Sequence, residues 1–315
     1  MKCLVTGGEG FIGTNLVKAL IDRGDTVTVI DDRSAPENEA FYRCNGASYY
    51  NFSILDDKTA ELYSEVDVVF HLAARSRIQP SFSNPEHTFV NNVIGTQSVL
   101  EKSTRAGVKR VVYSGSSSCY GRRNDIPFKE SMKPDCLNAY ALSKKQGEDL
   151  CALYTRMHGL ETVVLRYFNV YGPLEPLKGQ YAPVIGIFKK QAREGNRLTI
   201  VGDGSQRRDF THVKDVVSAN ILSATASSVS LTDDGLTHTV FNVGTGKSYS
   251  INDIARLVLK TDKLTDSDVI YQPARRGEAT VTLADNRKIR ERLGWSPTVK
   301  IEEVIHDYES GAFPW

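Results

Sequence analysis

Short apolar runs alternate with longer segments of helical period through the first half of the chain. The runs are Cys3–Thr6, Thr26–Ile30, Val66–His71, Val108–Ser114 and Thr162–Arg166. Between them, Phe11–Arg23, Pro85–Ala106 and Asn138–His158 carry the 3.6-residue spacing of helices. Strands alternating with helices predict parallel strands joined by crossover helices, hence an α/β fold built on a doubly wound parallel (Rossmann) sheet. Continuous apolar stretches such as Asp67-Val-Val-Phe70 fit a sheet covered on both faces.

After Arg166 the rhythm changes. Gly and Pro become frequent (Gly172-Pro173, Pro176, Gly179, Pro183, Gly202, Gly204) and the elements shorten. This pattern predicts a smaller C-terminal α/β domain that starts near Tyr167. Val213–Ala226 and Val240–Val243 are expected to return to the first sheet. The division is then residues 1–167 with about 208–243, against 168–207 with about 244–315. Ser223–Thr239, rich in Ser, Thr and Asp, reads as a surface loop.

Composition narrows the functional classes. At 315 residues the chain has the length of about two domains. Its 40% apolar and 24% charged residues are those of a globular protein rather than a disordered one. The 39 Lys+Arg nearly balance 38 Asp+Glu, which leaves no global basic field for nucleic acid or an anionic membrane. Cys3, Cys44, Cys119, Cys136 and Cys151 are odd in number and contain no Cys-x-x-Cys pair, against both a disulfide framework and a zinc knuckle. No histidines pair at helical spacing, so no metal is expected. The first residues form a strand-like run without a signal region, and no apolar stretch reaches the roughly 18 residues of a membrane span. A reducing cytoplasm is the expected setting.

The first chemical motif is Gly7-Gly8-Glu9-Gly10-Phe11-Ile12-Gly13, directly after a strand and opening a helix. Glycines 7, 10 and 13 permit a tight turn, close approach to a pyrophosphate and packing of helix on strand. The helix N-terminus then offers free N–H groups to the phosphates. The second strand ends at Asp31-Asp32, where an acid accepts adenosine ribose hydroxyls. Together these features predict dinucleotide binding. Asp31 repels a ribose 2′-phosphate, which favours NAD over NADP; Arg33 is a mild counter-signal, read instead as a solvated loop charge.

The second motif pairs Tyr140 and Lys144, four apart on one face of a predicted helix. Free tyrosine has a pKa near ~10, so a base working at neutral pH needs it lowered by roughly three units. An adjacent ammonium and a positive nicotinamide ring both act in that direction. The serine run Ser114-Gly-Ser-Ser-Ser118 at a strand end supports a catalytic reading over a surface pair.

With its Gly-x-x-Gly-x-x-Gly spacing, the chain resembles the extended short-chain dehydrogenase/reductase family, in its nucleotide-sugar epimerase and dehydratase branch. The resemblance runs from Thr6-Gly-Gly to Leu293-Gly-Trp295. It includes His71-Leu-Ala-Ala74, Asn92-Val-Ile-Gly-Thr96, Tyr140-x-x-x-Lys144 and Arg166-Tyr-Phe-Asn169. It implies that Phe11, Ile12, Leu72, Ala73, Ala74, Ser114 and Tyr167 line the cofactor and that Asn92 supports it. Ser53-Ile54 stands where the family usually has Asp-Ile reaching the adenine, which weakens one contact. Ser116 matches the catalytic Ser or Thr, beside Tyr140 and Lys144, and Ser118 is expected near the sugar. Asn169, Arg208 and Arg275 match contacts to the nucleotide diphosphate, with Arg276 an alternative to Arg275. Thr282 matches one wall of the sugar pocket, where a small residue is associated with N-acetylated sugars.

The implied activity is epimerisation of a UDP-sugar at C4 with NAD as cofactor, most like UDP-glucose and UDP-N-acetylglucosamine 4-epimerases. The helices Pro85–Ala106 and Asn138–His158 match those that form a homodimer in relatives. A 4,6-dehydratase or decarboxylase uses the same oxidation but needs an acid after the catalytic Ser or Thr, where this chain has Ser117-Ser118. A non-catalytic dinucleotide-binding protein is the remaining alternative, against which the Tyr/Lys pair argues.

Overall fold

The computed structural model describes residues 1–35, 41–177, 183–261, 268–274 and 279–305. Six strands open the central sheet: β1 (Lys2–Thr6), β2 (Thr26–Ile30), β3 (Ala47–Tyr50), β4 (Val68–His71), β5 (Arg110–Ser116) and β6 (Glu161–Tyr167). The short strands β7 (Val170–Tyr171), β8 (Leu198–Val201), β9 (Arg207–Asp209) and β10 (Thr211–His212) follow. Then come β11 (His238–Val243), β12 (Ser248–Ser250) and β13 (Val269–Gln272). The sheet order is β3-β2-β1-β4-β5-β6-β11, with every pair parallel. This is the doubly wound sheet that the alternation predicts. Every residue of β4 and β5 is buried, as expected of strands covered on both faces.

The helices are α1 (Phe11–Asp22), α2 (Ile78–Ser83), α3 (Pro85–Phe89), α4 (Gly95–Arg105), α5 (Ala139–His158), α6 (Val184–Arg193), α7 (Val213–Thr225) and α8 (Ile251–Thr261), followed by the short α9 (Arg287–Leu293) and α10 (Ile301–Val304). On one face of the sheet α1 and α7 bury Leu16, Val17, Leu20, Val216 and Val217 against Val5, Val29 and Phe70. On the other, α4 and α5 bury Val99, Leu100, Cys151 and Tyr154 against Leu4, Val69 and Val111. A separate apolar cluster joins α6, α8 and β8 through Ile185, Phe188, Leu198, Ile200, Ile254 and Val258.

Strand order reverses between β1 and β4. Their C-terminal ends pair as Thr6 with His71, and Leu72 N donates to Thr6 O at 3.0 Å. A crevice at such a reversal is where doubly wound sheets bind ligands.

Three details differ from the sequence reading. β3 has no continuous apolar run, because as an edge strand it alternates half-buried and exposed residues. The helix expected over 85–106 contains a π-helical turn at Val90–Ile94, which turns Asn92 into the interior. The stretch Ser223–Thr239 is only partly loop: α7 runs to Thr225, a 3₁₀ turn at Val229–Leu231 buries Leu231, and β11 begins at His238.

Three histidines carry a consequence for stability. His71 is 1% exposed, with Thr6 Oγ1 at 2.7 Å from Nδ1 and Thr96 Oγ1 at 3.0 Å from Nε2. Burial pushes its pKa down to about 3, and those of His212 and His238 down to about 4. The unfolded chain therefore takes up protons below pH ~6.5 that the fold excludes, so stability falls with pH in that window. Between pH 6.5 and 5 His71 alone removes about 2 kcal/mol of unfolding free energy. Denaturant titrations at pH 7 and 5 measure this; equal unfolding free energies would show that His71 protonates within the fold.

Candidate active site

The chain leaves β1 through Gly7, at φ +71°, whose N–H donates to Ile30 O at 2.8 Å. A Cβ at Gly13 would sit 2.1 Å from Gly7 O, and one at Gly7 would sit 2.7 Å from Ala73 N. Only glycine lets α1 pack this closely on the turn. The helix begins at Gly10 with no side-chain cap, so no side chain competes for its first-turn amides. An uncapped helix start over a glycine turn is a cradle fitted to a dinucleotide pyrophosphate.

From this cradle a cavity of about 1260 Å³ runs past the ends of β1, β4, β5 and β6 to α6, β8 and β13. The walls at the cradle end include Gly7, Gly10, Phe11, Ile12, Gly13, Asp31, Asp32, Ile54, Leu72, Ala73 and Ala74. Further along come Ser114, Ser116, Ser118, Tyr140, Lys144, Tyr167, Asn169, Arg208 and Thr282. Two other residues expected in the cofactor site lie outside the wall. Ser53 turns its hydroxyl to Leu55 N, at 3.2 Å. Asn92 is 1% exposed and holds the chain behind the wall: it accepts from Arg75 N at 2.7 Å and donates to Arg75 O and Ser143 Oγ, both at 3.0 Å. Arg275 and Arg276 lie outside the described residues.

Asp31 is buried at the end of β2, where it accepts from Glu9 N at 3.0 Å and Arg33 N at 2.8 Å. Burial raises its pKa, against the pull of those two amides. Arg33 is not a free loop charge: its guanidinium is held by the buried Glu9 carboxylate at 2.8 Å.

Asn138 caps α5 by accepting from Ala141 N at 2.8 Å, which sets Tyr140 in the first turn. Ser116 ends β5, with Ser118 Oγ at 2.9 Å from its hydroxyl. Burial raises the Tyr140 pKa, while the Ser116 hydrogen bond and the charge of Arg77 pull it down. Lys144, one turn further and 4% exposed, donates to Ser114 O at 2.8 Å, and burial lowers its pKa to about 8. The groups that favour the phenolate in this structure are thus Ser116 and Arg77, while the Lys144 ammonium is directed to β5. At the other wall Asn169 donates to Asp209 O at 2.8 Å and Thr282 Oγ1 at 3.0 Å. Arg208 donates to Arg207 O at 3.0 Å.

The cavity also takes Arg75, Ser76, Arg77 and Gln79, which the sequence reading did not single out. Their signal was two arginines directly after His71-Leu-Ala-Ala74. Lys190 and Gln191 on α6 and Gln272 at the end of β13 had none, since polar residues on a helix face or at a strand end resemble any solvated surface. Among the described residues no cluster of three His, Cys, Asp or Glu is placed to hold a metal, and no helix is long and apolar enough to cross a membrane.

Comparison with known proteins agrees with this geometry. Residues 3–244 match the model of the NAD dependent epimerase/dehydratase family. A putative UDP-glucose 4-epimerase of Methanocaldococcus jannaschii is 33% identical, over 96% of this chain and 95% of that protein. A crystal structure of UDP-glucose 4-epimerase from Thermotoga maritima with UDP-glucose superposes with TM-score 0.90 at 34% identity, over 97% of this chain and 96% of that one. UDP-N-acetylglucosamine 4-epimerase from Methanobrevibacter ruminantium, in complex with UDP-N-acetylmuramic acid, gives TM-score 0.89 at 32% identity, over 98% and 96%.

Proposed function

The chain belongs to the NAD dependent epimerase/dehydratase family, and from that premise we propose that it epimerises a UDP-sugar at C4. The observation that carries this reading is the convergence of Ser116, Tyr140 and Lys144 on one cavity with the glycine cradle. NAD, when bound, supplies reversible hydride acceptance beside a positively charged ring. Tyr140 takes the proton of the C4 hydroxyl and returns it after the 4-keto sugar has turned over. Ser116 orients the reacting oxygen and passes its proton on to the Tyr140 phenolate. Lys144 holds the start of α5 on the end of β5 and adds positive charge to the site.

Gly7, Gly10 and Gly13 with the start of α1 bind the pyrophosphate, and Asp31 takes the adenosine ribose. The central-sheet domain therefore serves NAD. The C-terminal portion serves the nucleotide sugar, through Asn169, Arg208 and, by its position in the sequence, Arg275. Dehydration or decarboxylation needs an acid after Ser116, and Ser117-Ser118 disfavour both. Five cysteines without a disulfide suit a cytoplasmic protein.

A homodimer is part of the same proposal. Val90 and Ile94 are 40% and 53% exposed at the π turn, beside Leu142, Leu153 and Met157, which are 42%, 41% and 62% exposed on α5. Apolar residues grouped on adjoining helices fit a second copy of the chain. The Ile94→Asp/Leu153→Asp variant is expected to sediment as a monomer with its fold intact; a wild-type monomer overturns the assignment.

Tyr140→Phe is expected to fold and bind NAD but to lose at least ~10²-fold in turnover, the usual contribution of a positioned acid–base group. Chromatography of products from a panel of UDP-sugars checks both rate and reaction. A 4-keto-6-deoxy product from the wild-type protein would replace epimerisation by dehydration. Thr282 is small and 8% exposed at the wall shared with Asn169, which leaves room for an acetamido group. Thr282→Tyr should therefore lose the reaction on UDP-N-acetylhexosamines while keeping that on plain UDP-hexoses. Equal effects on both would remove Thr282 from the sugar pocket.

A further inference from the structure

Within the glycine turn, Glu9 is 1% exposed, although nothing in the turn geometry calls for a carboxylate there. Its two oxygens are engaged by guanidinium groups. Arg33 donates through Nε at 2.9 Å and lies 2.8 Å away through a terminal nitrogen, and Arg43 donates through a terminal nitrogen at 3.1 Å. A buried carboxylate persists only when paired in this way. Arg43 is braced further by stacking over the Tyr49 ring, 4.9 Å from its centroid.

The cluster surrounds the residue that would read the cofactor ribose. Asp31 accepts from the backbone N–H of both Glu9 and Arg33, so all three occupy one edge of the cradle. Asp31, Asp32, Ser34 and Ala35 all contribute to the cavity wall, whereas Arg33 between them does not. An arginine just after the β2 acid is the group that accommodates a ribose 2′-phosphate, and a guanidinium fork pairs with phosphate at least as well as with carboxylate. Here the fork is turned onto Glu9.

We propose that Glu9 is a positioning residue for cofactor choice: by occupying Arg33 and Arg43 it denies them to a 2′-phosphate and keeps the site selective for NAD. The proposal rests on the NAD reading above. It separates two contributions at the ribose edge. Asp31 repels the phosphate directly, and Glu9 removes the cations that would attract it.

The test is calorimetric titration of the full-length protein, freed of bound nucleotide, with NAD and with NADP. Glu9→Gln keeps the side-chain shape and removes its charge. The ratio of NADP to NAD dissociation constants should fall at least about tenfold, as expected when charged hydrogen bonds are redirected to the ligand. The thermal midpoint serves as the check on folding. Adding Arg33→Ala to Glu9→Gln should restore most of the wild-type ratio, which a merely structural role for Glu9 would not produce. Arg33→Ala alone removes an arginine that Glu9 already holds and should leave the ratio near that of the wild type. A folded Glu9→Gln protein with an unchanged ratio would overturn the proposal. So would a rise of about tenfold or more in that ratio from Arg33→Ala alone, which would show Arg33 already serving the phosphate in the wild-type protein, a result available even if Glu9→Gln does not fold. A wild-type protein that binds NADP as tightly as NAD would instead overturn the NAD reading itself.

Discussion

The buried ion pair between Glu148 and Arg166 fixes the helix that carries Tyr140 and Lys144. The two side chains are 3% and 4% exposed and meet in a fork, Nε to Oε1 at 3.0 Å and a terminal nitrogen to Oε2 at 2.8 Å. The remaining terminal nitrogen of Arg166 donates to Tyr120 Oη at 2.8 Å and to Glu130 O at 3.3 Å, and Tyr120 donates onward to Asn242 at 2.7 Å. One guanidinium thus ties α5 and β6 to β11 and to the segment after β5. Removing either charge would strand the other in a dry interior, at a cost of about 3–5 kcal/mol. The register of α5 on the sheet is held accordingly. A Cβ at Gly147 would lie 2.1 Å from Tyr113 Oη, which shows how closely helix and strand approach beside the pair.

That register sets the electrostatics of Tyr140 and Lys144. Glu148 follows Lys144 by one turn, and its charge opposes the burial that lowers the lysine pKa to about 8. Without such a carboxylate, burial would strip Lys144 of its proton more completely. Tyr140, a further turn back, is raised by burial and has only Ser116 and Arg77 to counter it. The protein by itself therefore keeps the phenol protonated. A positive charge brought into the cavity beside it would pull that pKa down again.

Buried carboxylates organise the other walls in the same manner. Asp209 accepts from Thr245 N at 2.8 Å, Gly246 N at 2.9 Å and Ala284 N at 3.1 Å. These bonds lock β9 to the turn after β11 and to the segment that carries Thr282. Asn169 then spans Asp209 O and Thr282 Oγ1, so the wall that Asn169 and Thr282 share is held by side chains that are themselves bonded to one another and to the backbone. Glu9 does the equivalent at the cofactor end. Each wall of the cavity is thus anchored by a carboxylate that water does not reach, where fixed geometry suits a site that must hold reacting atoms in place.

This division explains what the sequence disclosed and what it did not. The doubly wound sheet was legible because burial on both faces writes a continuous apolar run into β4, β5 and β6, and β3 escaped because an edge strand needs none. Gly7, Gly13, Asp31, Tyr140 and Lys144 were legible because each sits in a short motif (a glycine turn, a strand end, one helix turn) that local spacing displays, although their contacts to Ala73, Glu9 and Ser114 come from elsewhere in the chain. Arg77 and Asn92 belong to a different class. Their positions depend on a loop after β4 and a π turn that bring Arg77 to Tyr140 and Asn92 to Ser143, 63 and 51 residues away in sequence, and in the sequence only the family resemblance points to Asn92. Arg33 shows the limit most directly. Its charge and position suggest either a phosphate ligand or a solvated residue, and the structure adds what neither reading contained: although exposed, it is held by Glu9, 24 residues earlier. A charged side chain is defined by its partner, and in a parallel sheet the partner comes from another strand's loop, beyond the reach of any local pattern.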